Sequence, residues 1–232
     1  MMIKAITFDL DDTLWEVWPV VERAERLLHD WLASRYPRIP ERFTPLELRE
    51  LAGEVRAARP EIAHDRTALR KEALNLAAAR TGYREFDVES AFALFFMARN
   101  AVEPFAEVRP TLERLARRYI LASLSNGNAD LRLIGLDDVF RVSLNAIDVG
   151  AAKPEAPMFE EVCRLLRLRP GQIVHVGDDP EHDVEGGRNA RFRTVWVNRA
   201  GRNWPGGPRA DAEIGDLGEL EVVLAAWEAD SA

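Results

Sequence analysis

The sequence predicts an α/β fold, a parallel sheet split by a helical insert after its first strand. Three observations predict it. Ile3–Phe8 is a short apolar run that stops at acids, as a buried strand does. From residue 108 onward, short apolar runs alternate with amphipathic stretches of helical length. That alternation belongs to parallel strands joined by crossovers. Between these regions, residues 17 to about 103 read as almost entirely helical. The predicted body is therefore 1–15 with 104–232, and the predicted cap is 16–103.

Each element has a local reason. In the insert, Val21, Ala24, Leu28, Trp31 and Leu32 form one stripe at helical spacing. Thr44-Pro45 supplies an N-cap followed by proline at the first helical position, opening a helix to about Ala58. Asp65 caps the next, which runs to Arg80 and stops before Gly82. Asp87 caps a fourth, to about Asn100. In the body, Pro110–Arg118 reads as a helix, and Tyr119–Ser123 as a strand entering Ser125-Asn126-Gly127. Pro154–Leu168 is helical, and Ile173–Val176 is a buried strand ending at Gly177-Asp178. A helix near Glu181–Asn189, a strand Thr194–Val197 and a helix over Leu217–Ala229 complete the chain. Gly201–Pro208 is the one loop rich in Gly and Pro, and it reads as a connector.

Composition excludes several classes. The chain has 232 residues, 47% hydrophobic and 30% charged, which suits a globular protein with a sizeable core. Its net charge of -8 argues against nucleic-acid binding through a broad basic face. The single cysteine, Cys163, excludes an internal disulfide and a multi-cysteine metal cage, and its neighbours suggest a buried helical thiol. The longest apolar run, Ala91–Ala98, has eight residues. A bilayer span needs ~20. Acids at Asp9, Asp11 and Asp12 interrupt any signal-peptide core, so the expected location is the cytoplasm. Only Lys4, Lys71 and Lys153 are lysines among 31 basic residues, so a lysine at a strand end stands out.

Ligands of open α/β sheets bind at the carboxyl ends of the strands. Strand one ends in Asp9-Leu10-Asp11-Asp12-Thr13, the next in Ser125-Asn126-Gly127-Asn128. Lys153-Pro154 precedes a helix, and Gly177-Asp178-Asp179-Pro180-Glu181-His182-Asp183 follows another strand. Singly, each has an ordinary explanation: acids cap helices, Ser and Asn fill loops, and lysine decorates surfaces. Together they place acids, a hydroxyl and a rare lysine on one rim. Clustered carboxylates repel one another unless a hard cation sits among them. Mg²⁺ takes one or two carboxylates, waters and substrate phosphate oxygens. Lys153 would offer a point charge to phosphate, and Ser125 with the Asn126 amide would offer neutral donors. One carboxylate can act as nucleophile and another, two residues on, can protonate the leaving alcohol.

Asp9-x-Asp11-x-Thr13, Ser125, Lys153 and Gly177-Asp178-x4-Asp183 resemble the four ordered motifs of the haloacid-dehalogenase-like (HAD) hydrolase superfamily. The resemblance implies a Rossmann-like core, the HAD fold, with an inserted α-helical cap. It implies that Asp9 attacks phosphorus and becomes a phospho-aspartate, and that Asp11 protonates the leaving oxygen and then activates water. Mg²⁺ would be held by Asp9, the Asp11 main-chain carbonyl and Asp178, with Asp183 ordering its surroundings. Asp179 directly follows Asp178, and the position after Gly177 favours Asp178 as the ligand. Ser125, Asn126 and Lys153 would hold the phosphoryl oxygens.

Shorter stretches, Arg59–Thr67, Ser125–Ala129 and His175–Asp179, are similar to the bacterial YigB group. That likeness implies a phosphatase acting on flavin mononucleotide or 5-amino-6-(5-phospho-D-ribitylamino)uracil. Asp11 argues against the haloacid dehalogenases of the superfamily, which displace halide and lack a carboxylate there. A phosphomutase stays open, because it differs mainly in excluding water. A receiver-like phospho-acceptor module is the non-enzyme alternative, disfavoured by the helical insert after strand one. The expected partner is a small-molecule phosphate ester, with no nucleic acid or membrane, and the chain a monomer or homodimer. Trp15 and Trp18 either stack on a flat substrate ring or pack the hinge and cap core. Asp65 is read as an N-cap and His64 as a residue open to a part in substrate selection. His29, His175 and His182 form no metal set.

Overall fold

The structure, a computed structural model, describes residues 2–229. The outer ends of the predicted body, Met1 and residues 230–232, lie outside the described residues. Two compact units divide the chain. One holds Val17–Val102 with Asn128–Leu133, and the other holds Glu103–Gly127 with the remaining described residues. Asn128–Leu133, which follows the second motif, thus groups with the helical unit.

The α/β unit contains one parallel sheet. Its strands are β1 (Ala5–Phe8), β2 (Ile120–Ser125), β3 (Val142–Asn145), β4 (Ile173–Gly177), β5 (Arg193–Val197) and β6 (Ala212–Ile214). The order is β3-β2-β1-β4-β5-β6. This is the doubly wound arrangement, with the order reversing at β1. Ala5 pairs with Ile120 on one side and Ile173 on the other, and Phe8 with Ser123 and Val176. The register places the residues after Phe8, Ser125 and Val176 at one end of the sheet, beside the switch point. The central strands are buried on both faces and read as continuous apolar runs, as parallel strands do. Met158, Phe159 and Val162 pack one face through Ala122, Leu124 and Ile173.

β3 and β6 were not anticipated. Each is an edge strand of four or three residues carrying polar side chains, too short and mixed for a buried-strand signal. The segment after β4 differs too. Pro180–Glu185 forms a wide π-type turn, followed by a helix at Gly186–Asn189, rather than one regular helix. Cys163 lies partly buried on the helix Ala156–Leu166, and burial pushes its thiol up to about 11.

The helical unit is built from α1 (Trp18–Arg35), α2 (Arg38–Arg42), α3 (Pro45–Ala58), α4 (Arg66–Arg80) and α5 (Val88–Arg99). Thr44 and Glu47 exchange bonds in a capping box: the Glu47 amide donates to Thr44 Oγ1 at 3.2 Å, and the Thr44 amide donates to Glu47 Oε2 at 2.7 Å. Asp65 accepts from the Ala68 amide at 2.8 Å and Asp87 from the Ser90 amide at 3.0 Å, so both predicted caps act as caps. Leu28, Leu32, Leu51, Leu69, Leu74 and Phe95 form the core of this unit. Among the described residues no helix is long and apolar enough to cross a membrane.

Ile6 sits in the central strand with no exposed surface. Ile6→Ala is expected to destabilise the α/β unit by about 2–5 kcal/mol, the cost of lost burial plus a residual cavity. Urea unfolding followed by circular dichroism measures it.

Candidate active site

β1 delivers Asp9 to the sheet's carboxyl end, where its amide donates to Val176 O at 2.9 Å. The chain then turns sharply. The Leu14 amide donates to Leu10 O and the Asp12 amide to Trp15 O, each at 2.8 Å. Asp12 has φ +60, the left-handed region that Asp tolerates better than most residues. Thr13 is buried and its hydroxyl donates to Asp9 Oδ2 at 3.4 Å.

Lys153 is the hub. Its Nζ donates to Asp9 Oδ1 and to Asp183 Oδ1, each at 2.6 Å. Asn126 holds the lysine from behind: its Nδ2 donates to Lys153 O at 2.8 Å and its Oδ1 accepts from the Lys153 amide at 2.7 Å. The sequence suggested only the Asn126 backbone amide for this site, so the side-chain clamp is new. Ser125 is buried at the end of β2, and its Oγ accepts from the Gly127 amide at 3.0 Å.

Asp183 is fixed on all sides. Its Oδ1 also meets His175 Nε2 at 3.0 Å, and its Oδ2 accepts from the Asp179 amide at 3.0 Å. His175 Nδ1 in turn lies 2.8 Å from the Thr7 hydroxyl. Burial pushes the His175 pKa below the usual range, and Asp183 only partly opposes this. The Thr7 hydroxyl also lies 3.3 Å from Val174 O, so the imidazole is held between Thr7 on one side and Asp183 on the other. Gly177 makes the close approach possible: a Cβ there would lie 2.2 Å from Asp183 Cγ.

Asp178 and Asp179 differ in what each carboxylate touches. Asp179 Oδ1 accepts from the Glu181 and His182 amides, each at 2.8 Å, so it caps the π-type turn. Asp178 instead lies with Asp9 and Asp183, their ligand oxygens within 4.8 Å of one another. Its carbonyl accepts from Trp196 Nε1 at 2.8 Å and from Arg202 Nη2 at 2.9 Å.

The electrostatics are strained in a definite direction. Burial raises the Asp9 pKa well above the ordinary carboxylate range; Lys153 opposes the rise, and Asp183 and Asp178 add to it. Burial, with Asp183 and Asp12 nearby, pushes Asp178 up to about 7. Burial also disfavours ionised Asp183, but Lys153 and His175 outweigh it and hold this carboxyl low. Burial likewise opposes the Lys153 charge, and the two carboxylates overcome it. Three carboxylates face the Lys153 ammonium and, 3.5 Å from Asp178 Oδ2, the Arg202 guanidinium, which leaves a surplus of negative charge in a largely buried site. All the donors are oxygens, the set a hard divalent cation takes. The residues therefore fit such an ion.

Asp11 is held by a tryptophan on the same turn. Trp15 is fully buried, and its Nε1 donates to Asp11 Oδ1 at 2.9 Å. Stacking of Trp15 on a substrate ring is thereby excluded, because neither face of the indole is reachable. A buried indole N–H left without an acceptor would cost about 1–3 kcal/mol, so the core itself dictates where Asp11 sits. Trp18, in the helical unit, is 48% exposed, with the Arg49 guanidinium 4.4 Å from its ring centre. His64 is partly buried beside the capping Asp65.

The structure thus gathers Asp9, Lys153, Asp178 and Asp183, with Asn126 clamping the lysine. Ser125 stands at the adjoining strand end and Asp11 on the turn. His175, Thr7, Trp196 and Arg202 were missed as site residues. Only His175 left a trace in sequence, as a polar residue inside an apolar strand.

Such a site, at the switch point of a doubly wound sheet, defines an enzyme that handles an anion with clustered carboxylates and one lysine. The family model described as haloacid dehalogenase-like hydrolase matches residues 3–191, and the chain belongs to that family. It is 33% identical over 199 residues to the 5-amino-6-(5-phospho-D-ribitylamino)uracil phosphatase YigB of Escherichia coli (strain K12), covering 84% of this chain and 83% of the relative. It is 28% identical over 229 residues to the glyceraldehyde 3-phosphate phosphatase of Methanopyrus kandleri, covering 93% and 92%. A crystal structure of 2-haloacid dehalogenase from Pseudomonas syringae pv. Tomato DC3000 superposes with a TM-score of 0.90 at 39% identity, covering 97% of this chain and 100% of that one.

Two outcomes follow from the geometry. Gly177→Ala should displace Asp183, and a cation taken by the three carboxylates, probed with Mg²⁺, should then bind about 10- to 100-fold more weakly, the scale for disturbing groups that orient metal ligands. Gly53→Ala, where an added Cβ meets nothing within 4 Å, is the control. Burial and the neighbouring acids push Asp178 up to about 7, so below that pH a proton would compete with a cation for its carboxylate. Mg²⁺ affinity should therefore fall by up to about tenfold per pH unit below 7 and level off above it. Calorimetric titration at several pH values reads both effects.

Proposed function

We propose that the chain is a cytoplasmic, Mg²⁺-dependent phosphatase that hydrolyses a small-molecule phosphate monoester through a phospho-aspartate on Asp9. Its class is phosphoric monoester hydrolase. The observation that carries this reading is Asp11, a second carboxylate two residues beyond Asp9 and held in place on the same turn. A departing halide is a stable anion and needs no proton. A departing alkoxide does, and Asp11 can supply it. This separates the chain's chemistry from that named for the Pseudomonas syringae neighbour, despite the shared fold.

The Asp9 and Asp178 carboxylates and the Asp11 carbonyl would hold Mg²⁺, with Asp183 ordering its surroundings. When bound, the ion neutralises the clustered acids and withdraws charge from the phosphoryl oxygens. Asp9 attacks phosphorus as the bond to the leaving oxygen breaks, and Asp11 gives that oxygen its proton. Asp11 then takes a proton from water, which attacks phosphorus and frees Asp9. Lys153, Ser125 and the Asn126 amide hold the phosphoryl oxygens throughout. The likeness to YigB supports 5-amino-6-(5-phospho-D-ribitylamino)uracil or flavin mononucleotide as the substrate.

A phosphate-release screen of phosphorylated metabolites, including flavin mononucleotide and sugar phosphates, tests the reading. Turnover should vanish with EDTA and with Asp9→Asn. Asp11→Asn should slow the chemical step by roughly 10²–10⁴, the usual worth of a general acid or base. Halide release from 2-chloropropionate without phosphate release from any ester would overturn the assignment. Sugar-phosphate turnover with negligible flavin mononucleotide turnover would keep the class and remove the flavin substrate.

A further inference from the structure

Trp15 satisfies its one polar atom on the residue proposed to move the proton. We propose that Trp15 is a positioning residue for Asp11, and that its indole N–H decides which carboxylate oxygen exchanges the proton. The inference rests on the reading of Asp11 as general acid and base. Three observations carry it. Trp15 has no exposed surface, so water cannot replace Asp11 as its acceptor. Its Nε1 lies 2.9 Å from Asp11 Oδ1. The backbone closes the same turn, with a β-bridge between Asp11 and Trp15 and the Asp12 amide donating to Trp15 O at 2.8 Å.

The chemistry follows from what an indole can do. It donates and never accepts. With Oδ1 engaged by the indole N–H, we assign the exchanged proton to Oδ2. In the first step the Oδ2–H bond breaks and the proton goes to the leaving oxygen, while the bond from phosphorus to that oxygen breaks and the Asp9 oxygen–phosphorus bond forms. In the second step Oδ2 takes a proton from the attacking water. The indole holds the carboxylate in one orientation through both steps, so the turn need not rearrange between them.

Trp15→Phe removes the N–H and keeps an aromatic ring in the core. The test compares kcat/KM for phenyl phosphate, a poor leaving group, with that for p-nitrophenyl phosphate, a good one. The ratio of the two constants is independent of how much of the variant is folded. Phenyl phosphate should lose about 10- to 100-fold, part of what a general acid supplies. p-Nitrophenyl phosphate should change less than about twofold, since its leaving group needs little proton assistance. Equal losses on both esters, or no loss on either, overturn the inference. Asp11→Asn run in parallel separates the failures. If it loses activity selectively on phenyl phosphate and Trp15→Phe does not, Asp11 remains the acid and the role of Trp15 falls. If Asp11→Asn is itself indifferent to the leaving group, the reading of Asp11 falls and the inference falls with it.

Discussion

The buried ammonium of Lys153, shared at 2.6 Å by Asp9 and Asp183, is the constraint on which the site depends. Lys153 and Asp183 are each 2% exposed and Asp9 is 8% exposed, so none of the three charges is properly solvated. A buried ion pair is an uncertain source of stability, but removing one partner costs about 3–5 kcal/mol. The surroundings make the shared arrangement tolerable. Asn126 fixes the lysine backbone from β2, while His175 and the Asp179 amide hold Asp183 from the β4 side. Lys153 thereby ties together the ends of the three central strands.

That network also places the charge asymmetrically. Asp183 stays ionised because Lys153 and His175 overcome its burial. Asp9 and Asp178 are pushed the other way by burial and by the acids around them. In the proposed mechanism Asp9 has to be ionised to attack phosphorus, so a cation that lowers its pKa would also activate it. The donor set and the proposed chemistry therefore both suit a cation beside Asp9. The net charge of -8 becomes a poor guide to substrate sign, because the acids at the rim act as ligands in the proposed mechanism rather than as a repulsive face.

Much of this was legible in sequence because parallel strands impose a simple rule. When β1, β2 and β4 pair in register, the residues just beyond each strand must meet. Asp9, Ser125 and Asp178 could thus be grouped by position alone, and the scarcity of lysine drew attention to Lys153. The helical caps at Thr44, Asp65 and Asp87 were legible for an equally local reason, since a cap bonds within three residues of itself. Contacts made through space left no such mark. Trp196 reaches the Asp178 carbonyl across β5, and the Asn126 clamp spans 27 residues. β3 and β6 escaped because an edge strand needs no apolar run. The π-type turn escaped because it serves Asp183 and Asp179 rather than the helical period.

Trp15 was open to two readings in sequence, a stacking surface for substrate or a packed core residue, and its burial leaves the second. An aromatic beside a nucleophile loop suggests a stacking surface, since hydrophobic area is its dominant property. Burial removes that option and leaves only the N–H to act. Once the ring is enclosed, its single donor must find an acceptor, and Asp11 is the acceptor it has. Core packing and proton chemistry then meet in one bond. Filling the core with tryptophan rather than phenylalanine sets the orientation of a carboxylate whose direction the backbone alone would leave to side-chain rotation. In the proposed mechanism the leaving oxygen needs a proton, and a carboxylate held in one orientation by a buried donor is suited to deliver it.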